Sequence, residues 1–135
     1  MTTKTEDCEI KIGIKMLDRD HREMTEAIQR LKDCIVKGSQ RNLTASLLRK
    51  LEQFSLTHFA LEEGMMAATN YPWMDLHRVG HLCFTGQLTE LIARCERADF
   101  MPNDPSIEYL SEAHFNHMQK DDLLYGLWLN QCEVN

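Results

Sequence analysis

No stretch of this chain approaches the ~18 consecutive apolar residues of a membrane span. The segment from Met1 to Lys11 is polar and charged, so no secretory leader is expected. Basic residues are in deficit, with 15 Lys and Arg against 21 Asp and Glu and a formal net charge of −6. Phosphate binding needs clustered Lys and Arg, so neither nucleic acid nor an anionic membrane is an expected partner. No Cys-x-x-Cys pair occurs; Cys8, Cys34, Cys83, Cys95 and Cys132 are scattered and odd in number. Such spacing suits free thiols in a reducing cytosol, and a cytoplasmic location is expected. Prolines are few, and Pro72, Pro102 and Pro105 each fall where a helix begins or a loop runs. No internal repeat, low-complexity tract or convincing strand is found.

What is present is helical periodicity. The 135 residues, 43% apolar, suit one compact domain over 1–135 with a real core. Residues 1–17 read as an irregular N-terminal arm alternating around Ile10, Ile12 and Ile14. Asp18 reads as an N-cap, followed by Met24, Ala27, Ile28, Leu31, Cys34 and Ile35 at intervals of three and four. This predicts a first helix over about 18–37. Leu43, Leu47, Leu48, Leu51, Phe54, His58 and Phe59 predict a second over 41–69. Asn70-Tyr71-Pro72 breaks it, and Pro72 suits the first turn of a third helix over 72–98, with Leu76, Val79, Leu82, Phe84, Leu88, Leu91 and Ile92 as its apolar stripe. Asp104-Pro105 starts a fourth over 105–130. Short connections make consecutive helices antiparallel neighbours. The expected fold is therefore all-α, an up-down-up-down four-helix bundle with an N-terminal arm.

Six histidines in an acidic domain need a reason. His58-x-x-x-Glu62 lies on the second helix and His77-x-x-x-His81 on the third. Residues four apart sit about 40° apart around a helix and can reach one point. His117, Asp121 and Asp122 lie on the fourth helix and His21 on the first. Burying this many imidazoles and carboxylates on core stripes is costly unless they are paired or bind metal. Five histidines with two acids exceed one tetrahedral zinc, so two metals bridged by carboxylates are more economical.

The residues in order are Asp18-Arg-Asp-His21, His58-Phe59-x-x-Glu62-Glu63-x-x-Met66, Tyr71-Pro72, His77-x-x-x-His81 and His117-x-x-x-x-Asp122-x-x-Tyr125. Together they resemble a bacterial hemerythrin domain over about residues 10–130. The resemblance implies two iron ions in a non-haem centre that binds O2 reversibly. His77, His81 and His117 would saturate one iron. His21 and His58 would bind the other and leave a position open. Glu62 and Asp122 would bridge the two with an oxo or hydroxo oxygen. No Glu-x-x-His pair of the oxygen-activating bundles is present.

Three features depart from plain geometry or from the family pattern. Asp122 is five residues after His117, about 140° away on an ideal helix, whereas Asp121 is the geometric choice. Following the resemblance requires a π-type widening between them. Ala113 stands where many members carry Trp, and His114 where an apolar residue is usual. His114 reads first as a partly exposed residue and alternatively as part of a roomier, wetter pocket. The aromatic often found in the arm is absent. Glu63 reads as a solvated or salt-bridged acid facing away from the metals, or alternatively as a support behind the ligands, and Tyr125 as a core residue or a donor to a carboxylate.

The leading functional reading is O2 carriage, storage or delivery by a cytosolic non-enzyme, with a monomer favoured. The alternatives are O2 or redox sensing through a partner, a peroxide- or nitric oxide-reactive di-iron enzyme, and a bundle with no metal.

Overall fold

The computed structural model describes residues 11–37, 41–97 and 105–134. Four bundle helices run in order. They are α1 (Lys15–Val36), α2 (Arg41–Thr69), α3 (Met74–Glu96) and a composite fourth. The fourth consists of α4 (Ser106–His117), a π-turn (Met118–Asp122) and α5 (Leu123–Gln131). Each helix packs on those before and after it, and the fourth packs back on α1. No strand occurs among the described residues. Among the described residues no helix is long and apolar enough to cross a membrane.

Helix starts differ from the sequence reading for identifiable reasons. Asp18 is not an N-cap; Ile14 holds that place, and Asp18 lies inside α1. Its carboxylate still satisfies free backbone donors, accepting from the N–H of Ile12 at 2.7 Å and of Gly13 at 3.2 Å. Pro72 is not in the first turn of α3. Asn70 adopts a left-handed φ of 56°, and the Tyr71 N–H bonds the Met66 carbonyl at 2.9 Å, a glycine-type helix stop made by asparagine. A turn follows, closed by the Met74 N–H on the Tyr71 carbonyl at 3.3 Å, which leaves Pro72 ahead of the helix. The fourth helix begins at Ser106, with Pro105 in the capping position; Asp104 lies outside the described residues.

The inward face of α3 also differs. Leu76, Val79 and Leu82 are 61%, 53% and 68% exposed. His77 and His81 take the inward positions instead, ahead of Phe84, Leu88, Leu91 and Ile92. The two buried histidines displace the apolar stripe from the face it would otherwise mark.

Two apolar layers result. One gathers Met24, Ile28, Leu31, Leu51, Phe59, Phe84, Leu88 and Leu110. The other gathers Ile12, Ile14, Leu17, Met66, Tyr71, Tyr125 and Leu129. The arm therefore docks through Ile12 and Ile14 without an aromatic. Gly126 makes this possible, because a Cβ there would stand 2.6 Å from the Ile12 carbonyl oxygen. Cys34, Cys83, Cys95 and Cys132 are free thiols, and Cys8 lies outside the described residues.

Candidate metal centre

Between the two apolar layers lies a polar one. His21, His58, Glu62, His77, His81 and Asp122 are all buried, and the His117 side chain is 9% exposed. All seven residues singled out in the sequence are brought together here.

The two carboxylates divide the histidines. Glu62 Oε2 lies 3.3 Å from His21 Nε2 and 3.1 Å from His58 Nε2. Its other oxygen, Oε1, lies 3.4 Å from His77 Nε2 and 2.9 Å from His81 Nε2. Asp122 repeats the division. Its Oδ2 is 3.2 Å from His21 Nε2, and its Oδ1 is 3.0 Å from His77 Nε2 and 3.2 Å from His117 Nε2. One oxygen of each acid thus faces His21 and His58 or His21 alone, and the other faces histidines of the set His77, His81 and His117.

Asp122 reaches this layer through the π-turn at Met118–Asp122. A π-turn carries one extra residue, so the fifth residue after His117 returns to the inner face. The fourth, Asp121, then lies beside His117 and accepts from its Nδ1–H at 2.9 Å. Both aspartates are used, one inside and one outside. Gly80 leaves room for this pair, since a Cβ there would stand 2.4 Å from His117 Nδ1 and 3.0 Å from Asp121 Oδ2.

Other histidines are held similarly. Asp20 Oδ2 accepts from His58 Nδ1–H at 2.9 Å, and Glu63 Oε2 from His81 Nδ1–H at 2.8 Å. Glu63 also pairs with Arg78 Nε at 3.3 Å, so it is both salt-bridged and a support for a candidate ligand. Asp20 had no separate role in the sequence reading; its place beside His21 was the only signal. Carboxylate oxygens accept, so each of these rings donates from Nδ1 and turns Nε2 inward. Tyr125 donates to the Glu62 backbone carbonyl at 3.0 Å, and to neither carboxylate.

Lone pairs facing buried carboxylate oxygens are repulsive unless a proton or a cation intervenes. In the metal-free protein protons do so at His21 and His117. Burial opposes charge on His21, but hydrogen bonds and attraction from Asp122 and Glu62 outweigh it and raise its pKa to about 10. His117 is likewise pushed up to about 10 by Asp122 and Asp121 against burial. Burial would raise the Glu62 carboxyl, yet four surrounding imidazoles hold it well below its usual range. A metal ion satisfies the same groups directly. Six buried side-chain nitrogens and oxygens find no hydrogen bond among the described residues. Of these His58 Nε2, His117 Nε2 and Asp122 Oδ1 face the centre, and His21 and His77 leave Nδ1 unpaired. Two overlapping groups have atoms close enough to hold an ion, Glu62-His77-His81-His117-Asp122 and His21-His58-Glu62. Imidazole with carboxylate suits iron among the transition metals.

His114 is buried, which corrects the expectation of a partly exposed residue. Thr25 donates its hydroxyl to the His21 carbonyl at 2.9 Å, so its oxygen accepts from His114 Nε2–H at 3.1 Å. Burial, with repulsion from His21, depresses the His114 pKa to about 3, and the ring is neutral.

A four-helix bundle with a buried layer of five histidines and two acids defines a class of helical metal-binding proteins. The family model described as "Hemerythrin HHE cation binding domain" matches residues 12–128, and the chain belongs to the hemerythrin family. It is 28% identical over 117 residues to a bacteriohemerythrin of Pseudomonas aeruginosa strain UCBPP-PA14, covering 87% of this chain and 75% of that protein. It is 27% identical over 119 residues to a myohemerythrin of Riftia pachyptila, covering 88% of each. The crystal structure of a hemerythrin point mutant superposes with a TM-score of 0.81 at 23% identity, covering 90% of this chain and 92% of that one. That likeness establishes the fold.

Proposed function

We propose that this chain binds dioxygen reversibly at a non-haem di-iron centre. The observation supporting it most strongly is the division of the Glu62 and Asp122 oxygens between two and three histidines. His77, His81 and His117 would hold one ion and His21 and His58 the other, with Glu62 and Asp122 spanning both. Iron held there would supply the electrons that reversible O2 binding requires, and His21 and His58 offer one protein nitrogen fewer than the other three histidines do.

The protein's own residues favour holding over turnover. Neutral imidazoles outnumber the carboxylates, which favours the reduced ions. Phe59 stacks on His81 with ring centroids 4.0 Å apart, and the adjoining apolar layers keep bulk water away. The reading is of an oxygen-binding non-enzyme in the cytoplasm. Iron(II) added anaerobically to metal-free protein should bind at about two ions per chain. Oxygen should then produce a visible absorption that argon removes. One ion per chain, or oxidation complete after a single exposure, refutes the reading.

His114 favours a second reading, that of a leakier centre reactive toward peroxide or nitric oxide. A buried polar ring stands one helical turn from His117 where the layer is otherwise apolar. Sustained consumption of peroxide with a reductant would support this reading, and its absence would remove it.

A further inference from the structure

The carboxylates that brace the histidines share a sequence pattern. Asp20 precedes His21, Glu63 follows Glu62, and Asp121 precedes Asp122. Each is the neighbour of a candidate inner donor. Consecutive helix residues point about 100° apart, so one member of each doublet faces the centre and the other faces a helix boundary. The α1 doublet braces His58 on α2, and the α2 doublet braces His81 on α3. The π-turn doublet braces His117 on its own helix.

The braces are unequally shared. Of the three histidines facing Glu62 Oε1 or Asp122 Oδ1, two are braced, His81 and His117. Of the two facing Glu62 Oε2, only His58 is braced, because His21 Nδ1 has no hydrogen-bond partner. Asp20 is also the most enclosed brace, its side chain 15% exposed against 28% for Glu63 and 35% for Asp121. Its bond to His58 is the least screened by water. We infer that Asp20 is the positioning residue for the two-histidine position, so that the three-histidine position fills first and Asp20 governs entry of the second ion. This inference rests on the two-ion reading. An outer carboxylate fixes the ring tautomer and makes Nε2 a stronger donor, and its loss typically weakens metal binding about 10–100-fold.

Zinc is the probe, titrated into metal-free protein by calorimetry. Wild type should take two ions in separable steps. Asp20→Ala should weaken the second step about 10–100-fold and leave the first unchanged, and Asp20→Glu should recover most of the loss. Glu63→Ala should weaken the first step. Zinc-loaded wild type should show a slowly exchanging His58 Nδ1–H proton resonance, which Asp20→Ala abolishes and Asp20→Glu restores. Equal weakening of both steps by Asp20→Ala, or no change in either, overturns the inference. If Asp20→Ala does not fold, loss of the second step in Glu63→Ala with the first intact overturns it equally. Fewer than two zinc ions in wild type defeats the two-ion reading itself, and this inference with it.

Discussion

Replacing Gly80 with alanine separates a site constraint from a helix preference. A Cβ at position 80 would lie 2.4 Å from His117 Nδ1, 2.8 Å from its Cε1 and 3.0 Å from Asp121 Oδ2. Ordinary contact begins near 3.4 Å, so the shortfall is about 1 Å at the closest atom. The His117 ring has little room to retreat, since His77 and His81 stand 4.6 and 4.9 Å away, centroid to centroid. Overpacking of this kind costs about 1–3 kcal/mol. Opposing it, Gly→Ala inside a helix contributes about 1 kcal/mol. Gly64 and Gly86 supply the control, because a Cβ at either meets nothing within 4 Å. Gly64→Ala and Gly86→Ala should therefore stabilise the metal-free protein by up to about 1 kcal/mol. Gly80→Ala should fall about 1–3 kcal/mol below them, or roughly 3–10 °C in Tm at this length. Urea and thermal unfolding followed by circular dichroism read the difference. Zinc affinity of the three-histidine position should also drop about 10–100-fold in Gly80→Ala alone. A Gly80→Ala protein as stable as Gly86→Ala, with unchanged zinc affinity, would refute the steric argument.

Asp122→Asn should bind fewer than two irons and lose the absorption of the paired centre, whereas Asp121→Asn should keep two ions; the opposite result would assign the inner position to Asp121. His114 has a folded pKa near 3 against about 6.5 unfolded, so the unfolded chain takes up its proton first as pH falls. Its contribution is fully present above about pH 6.5 and is lost at up to about 1.4 kcal/mol per pH unit between there and about pH 3. His114→Leu should thus flatten the acid limb of the stability curve in metal-free protein, and an unchanged limb would contradict the burial of a neutral ring. Tyr125→Phe removes the bond to the Glu62 carbonyl and should cost about 1 kcal/mol in chemical denaturation, with iron content retained.

The bundle was legible because apolar intervals of three and four run through α1 and α2, and because asparagine and proline mark the break at residues 70–72. The candidate ligands were legible through four-residue spacings and through resemblance. Periodicity misled on α3. There Leu76, Val79 and Leu82 look like the core stripe, but His77 and His81 turn inward in their place, toward the buried Glu62 and Asp122 carboxylates. Asp122 was beyond ideal helix geometry, and only resemblance preferred it to Asp121. The role of Asp20 was hidden because its partner His58 lies 38 residues away on another helix. The Gly80 constraint was equally hidden, since a glycine in a helix carries no mark of what approaches it.

The stacking of the layers bears on rates as well as on structure. The cluster is closed on one side by Met24, Ile28, Phe59, Phe84 and Leu110 and on the other by Leu17, Met66, Tyr71, Tyr125 and Leu129. A hydrated ion or a chelator moving along the bundle axis must pass apolar side chains packed at the density of an organic crystal, and a small uncharged gas crosses the same barrier far more easily. Metal escape should therefore wait on transient opening of the bundle. Chelator stripping would then follow the unfolding rate, steep in temperature and indifferent to chelator concentration, while gas exchange stays fast.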